Sequence, residues 1–239
     1  MPAARRRARK SSPLYLPSAF ELFTPSKNIV LKNIWIFGPL YAIPFIFSIH
    51  SWIWAPVANQ PRHWWYHTSS FNWSSAGSAL PVYPTLLLVG FSLLWLILIM
   101  AIGTIIQVMS QAAQLRAVKG EALTFEDLWP YARQLGWRML GLYILSGLAI
   151  IFTLFIFARR YILAPYVMLE KKTGITESMR LSSELSGRNT GSVWGVIGVI
   201  VLIALIGAIP FIGGLVSFIL GSLYSVAPAL RYEQLKKLA

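Results

Sequence analysis

Cysteine is absent from the chain, which rules out a disulfide framework, a thiolate metal site and a thiol nucleophile. Acidic residues are scarce as well. There are eight in 239 residues, and Asp127 is the only aspartate. The sequence shows no paired-carboxylate arrangement among them, and no acid lies near the histidines. His63 and His67 are spaced four apart, as two ligands on one helix face would be, but only His50 could be a third. They read as interfacial histidines among tryptophans. A Ser/His/Asp set with a nucleophile elbow, a phosphate-cradling glycine loop and a zinc motif are all missing. The expectation is therefore a protein that is not an enzyme, with no catalytic residue, no cofactor and no bound metal.

Charge of either sign is thin. Charged residues make up 12% of the chain, against about 25% in an ordinary soluble domain. What replaces them is apolar: 56% of residues are hydrophobic. Several runs exceed the ~18 residues that mark a membrane span. The fold class that follows is all-α, a polytopic helical membrane protein. A basic, disordered tail over 1–17 precedes one membrane domain over 18–239. About six membrane segments form three hairpins, near 30–108, 137–169 and 191–230. The middle one is short enough to be re-entrant. Short amphipathic surface helices start near Ser18, Thr124 and Thr176, each with a capping residue. Pro130 is expected to bend or restart the second of these. The second span is read as ending near Val108.

The charge that does exist is one-sided, at a formal +13. Of 21 basic residues, only Arg62 lies in the aromatic loop 55–84, whose tryptophans suit a headgroup interface. If 137–169 crossed once, four more basic residues would join Arg62. Lysine and arginine bias in short loops sets orientation, so Ala158–Thr190 is expected back on the side of the N-terminus. Both termini are then cytoplasmic, in a bacterial cell membrane. Basic residues beside apolar spans point to anionic lipid headgroups as partners, and not to nucleic acid, for which no module is present.

Three patterns carry candidate roles. Tyr161-x-x-Ala164-Pro165 with Glu170 recurs as Tyr224-x-x-Ala227-Pro228 with Glu233, and Phe155-Ile156 matches Phe218-Ile219, an internal repeat. Gly213, Ser217, Gly221, Ser225 and Ala229 recur every four residues, with Gly191 and Gly195 on the facing helix. This small-residue strip suits close helix packing, within the chain or against a protein partner or second copy. Arg159, Arg160 and Tyr161 lie ten residues before Leu169, about 15 Å at helical rise. Set that deep, they would line a wet pocket for lipid phosphate or another anion; set shallow, they snorkel.

Arg160-Tyr161, Ala164-Pro165-Tyr166-Val167, Glu170, Gly174, Leu181-Ser182 and Gly187 resemble a broad bacterial multi-pass family. It includes the membrane domain of some glycerophosphodiester phosphodiesterases. Glu21-Leu22-Phe23 with Ser26 and Lys27 also fits. The resemblance implies a six-segment helical membrane fold, without a hydrolase domain here. The function expected is an integral membrane protein for lipid or anion handling or membrane organisation. A subunit of a transporter or channel is the alternative.

Overall fold

The computed structural model describes residues 16–58, 82–153, 158–209 and 212–238. Among these residues the regular structure is entirely helical. The tail 1–15, the aromatic loop 59–81 with Arg62, His63 and His67, the Phe155-Ile156 half of the repeat and the Pro210-Phe211 turn lie outside them.

A turn at 19–22 opens the described chain, closed by the predicted capping box. Ser18 N–H reaches Glu21 Oε2 and Glu21 N–H reaches Ser18 Oγ, each at 3.3 Å. Helix α1 (Phe23–Lys32) then bends by 100° into α2 (Ile34–Ala58). Asn33 holds the corner by donating its backbone N–H and its side-chain amide to Ile29 O.

Helix α3 (Val82–Val118) does not stop near Val108 as expected. It runs on because Gln111 and Gln114, read as surface residues, are buried in the bundle and find partners there. Helix α4 (Phe125–Phe152) likewise starts well before Trp137. Thr124 caps it, accepting from Asp127 N–H at 3.2 Å, but the helix is one piece, not a surface helix followed by a span. Pro130 sits inside it without ending it. The carbonyl it leaves without a donor is that of Glu126, in the exposed first turn. Helix α4 ends at Phe152, where Thr153 N–H bonds Ala149 O.

The return arm is broken into α5 (Ala158–Tyr161) and α6 (Ala164–Lys171). Helix α7 (Ile175–Arg188) follows, with Gly174 at its N-cap, so Thr176 lies in the first turn instead of capping. Its Ser178, Ser182 and Ser186 are fully buried. That small-residue stripe brings α7 close to α5 and α6. Helix α8 (Thr190–Gly207) and the pair α9 (Gly213–Tyr224) and α10 (Ala227–Leu238) form the last hairpin.

Four stretches are long and apolar enough to cross a membrane: Ile97–Val118, Phe125–Ile151, Thr190–Gly207 and Gly213–Leu238. The bent α1–α2 pair makes a fifth if it counts as one span. Only 17–33% of each of the four is buried within the protein. Leu94, Ile97, Leu148, Ile151, Leu202 and Leu205 are among the large side chains left facing outward. Such a surface is at home in hydrocarbon and not in water. The protein is thus an all-α, multi-pass membrane protein. Among the described residues four or five stretches can span, and α5 and α6, at 4 and 8 residues, are too short to cross, as the arm of a re-entrant middle hairpin would be.

Candidate functional site

The internal repeat is a structural repeat. Tyr161 ends α5 and Tyr224 ends α9; two residues of turn follow each. Ala164 and Ala227 then open α6 and α10, with Pro165 and Pro228 next. Proline has no N–H, so the tyrosine carbonyl four residues back loses its helical donor and the helix breaks. In the second copy Ser26 of α1 fills the break. Its Oγ donates to Leu223 O at 2.7 Å and accepts from Val226 N–H at 3.2 Å.

Both copies deliver their glutamate to one place. Lys119, just beyond α3, lies 2.6 Å from Glu170 and 3.8 Å from Glu233. Lys236 lies 2.6 Å and 4.0 Å from the same two carboxylates. Tyr232 donates to Glu170 Oε2 at 2.5 Å. Burial pushes the Glu170 carboxyl up, but hydrogen bonds from Lys119, Lys236 and Tyr232 outweigh it and hold the group down at about 2. This hub marks the charged end of the bundle.

Farther along the bundle, α2, α3, α6, α8 and α9 enclose a cleft of about 330 Å³. Its polar wall is a directed chain of hydrogen bonds. Tyr166 of α6 donates to Gln114 Oε1 at 2.7 Å. The Gln114 amide donates to Ser110 Oγ and to the Tyr41 hydroxyl, both at 3.3 Å. Tyr41 therefore has its own proton for Ser225, 2.5 Å away. Ser225 in turn donates to Ser222 O at 2.7 Å. Four elements are tied by this chain, and each polar group in it is satisfied.

Two glutamines stand apart. Gln111 accepts from Tyr143 at 2.6 Å; among the described residues its amide nitrogen has no partner, although the residue is only 8% exposed. Gln107, one turn nearer the middle of the span, makes no side-chain hydrogen bond among the described residues. It lines the cleft and two adjoining cavities. One of these, of about 290 Å³, shares Tyr41, Ser110, Gly221 and Ser225 with the cleft. No charged side chain lines either chamber.

The residues singled out from sequence fall elsewhere. Arg159 Nη1 donates to Thr190 Oγ1 at 2.5 Å. Thr190 is the first residue of α8, so this contact sits at the end of a span. The helix breaks at 162–163, so distance from Leu169 does not follow a continuous rise. Arg159, Arg160 and Tyr161 are half-buried, and none lines the cleft. The small-residue strip meets its own neighbours. A Cβ on Gly213 would come 2.2 Å from Ile206 O, one on Gly195 3.1 Å from Ala19 Cβ, and one on Gly221 3.7 Å from Ile203. Ser217 Oγ donates to Ile203 O at 2.7 Å. Gly191 faces open space, and Ser225 belongs to the cleft.

Sequence reading missed Tyr41, Gln107, Ser110, Gln111 and Gln114. The available signal was Gln107, Gln111 and Gln114 at helical spacing, directly continuing an apolar run: one polar stripe on a span. No protein family, curated protein or solved structure matches the chain.

Proposed function

We propose that this chain is a non-enzymatic integral membrane protein that holds the uncharged polar part of a lipid, its ester and hydroxyl groups, in the central cleft. The observation that carries this is the Gln107 side chain and the Gln111 amide nitrogen, which line a cavity inside a membrane span and have no hydrogen-bond partner among the described residues. A primary amide kept in an apolar zone without a partner costs about 1–3 kcal/mol, and a ligand carbonyl or hydroxyl offsets that. The lack of charge in the wall favours a neutral group over a phosphate.

The alternative, a transporter or channel subunit, needs a polar path between both faces. Polar residues of α3 lead from Gln114 to Thr104, and beyond them the exposed residues are Ile102, Met100, Ile99 and Leu98. A half-depth cleft suits a lipid entering sideways better than a solute passing through. The charge distribution supports cytoplasmic termini, and a bacterial cell membrane is part of the proposal.

A photoreactive diacylglycerol added to the purified protein in mild detergent tests the reading. Crosslinks should concentrate on α3 and α9 and fall in Gln107→Leu and Gln111→Leu. Even labelling over all outward-facing helices would defeat it.

A further inference from the structure

The outer face of α3 and α4 shares no lining residue with the central cleft. A groove of about 280 Å³ runs between the two helices. Along α4 it extends from Trp129 to Leu140, about 16 Å at helical rise. Ala101, Ile105 and Leu140 line its deep part, and Thr104 adds no polarity because its hydroxyl is turned to Met100 O at 2.8 Å. Gly136 contributes no side chain, and a Cβ there would meet nothing within 4 Å, so the groove is open at that point.

The shallow end, nearer the charged hub, is different. Arg133 lines it, exposed and without an acidic partner among the described residues. The two acids at the start of α4 do not reach it; Asp127 pairs with Arg116 at 3.4 Å. Trp129 and Trp137, 53% and 80% exposed, flank Arg133 one turn to each side. Exposed tryptophans of this kind mark headgroup level. A cation between two interfacial rings, above an apolar slot parallel to the spans, has the polarity profile of one phospholipid.

We propose that this groove binds an anionic phospholipid, with its phosphate on Arg133 and one acyl chain in the slot between α3 and α4. The guanidinium fork matches phosphate oxygens in pairs, and the net negative charge compensates a cation without an acidic partner among the described residues.

The test is native mass spectrometry of the full chain released from nanodiscs of phosphatidylglycerol, with phosphatidylcholine as comparison. Wild-type protein should retain phosphatidylglycerol preferentially. Arg133→Gln should weaken retention about tenfold, the loss of one charge-assisted contact. Gly136→Leu should fill the slot and have a similar effect; its fold is checked by thermal melting, and Arg133→Gln, an exposed change, stands alone if it melts early. Arg138→Gln removes an equal charge outside the groove and should change little. Equal losses in Arg133→Gln and Arg138→Gln would mean general attraction to a basic surface and would overturn the site, as would unchanged retention in Arg133→Gln. Gln107→Leu and Gln111→Leu leave this binding intact, which keeps it distinct from the cleft.

Discussion

Gln114 is the best-connected side chain inside the bundle. It accepts from Tyr166 and donates to Tyr41 and Ser110. Leucine at 114 would match its size but strand the Tyr166 hydroxyl, take from Ser110 its donor and leave Tyr41 with Ser225 alone. Each unsatisfied group costs about 1–3 kcal/mol, so Gln114→Leu should lower the melting temperature in detergent clearly. Gln107→Leu, which removes an amide that bonds nothing among the described residues, should leave melting nearly unchanged and act only on ligand. Glu170 gives a pH dependence whose direction is fixed. Its carboxyl titrates at about 2 when folded, against an ordinary value of 4.5. The unfolded chain therefore binds more protons between those values, and stability falls with acidification. The contribution is complete above about pH 5 and fades as pH drops toward 2. Melting temperature measured from pH 6 to 3 should fall more steeply in wild type than in Glu170→Gln.

At the level of elements, the last hairpin depends on close approach at one end. A methyl on Gly213 would sit 2.2 Å from Ile206 O, so the backbones of α8 and α9 must move apart. Gly213→Ala should destabilise by roughly 1–3 kcal/mol, as overpacking does. Gly191→Ala meets nothing within 4 Å and should be neutral or stabilising by up to ~1 kcal/mol, since alanine is the better helix former. Thermal unfolding of the two variants side by side separates a packing contact from a mere spacing pattern. The strip read from sequence was uniform; in the fold its members differ because only some face α8. The paired breaks after Tyr161 and Tyr224 tell a related story. The prolines alone make both breaks predictable, yet Ser26, which satisfies the second one, comes from α1 at the far end of the sequence.

For the whole molecule, orientation is the reading that charge supports and labelling can check. Lys171 and Lys237 are exposed near the charged end. Cysteines placed there, in a chain that has none of its own, should resist a membrane-impermeant maleimide on intact cells and react after permeabilisation. Ready labelling of either from outside would reverse the assignment of cytoplasmic termini. Composition and run length were enough to settle an all-α membrane protein, because a span in lipid must satisfy its backbone internally whatever surrounds it. The capping residues Ser18 and Thr124 were legible for the same reason: a cap is a contact over three residues of chain. The polar cleft and the ion hub were not. Gln111 and Gln114 fall beyond the expected end of the span at Val108, because polarity in sequence does not say whether water or another side chain satisfies it. Only the packing of α2, α4 and α6 around α3 put partners within reach. The meeting of Glu170 and Glu233 on Lys119 is of the same kind, since two local repeats acquire a common target only once the helices carrying them are folded side by side.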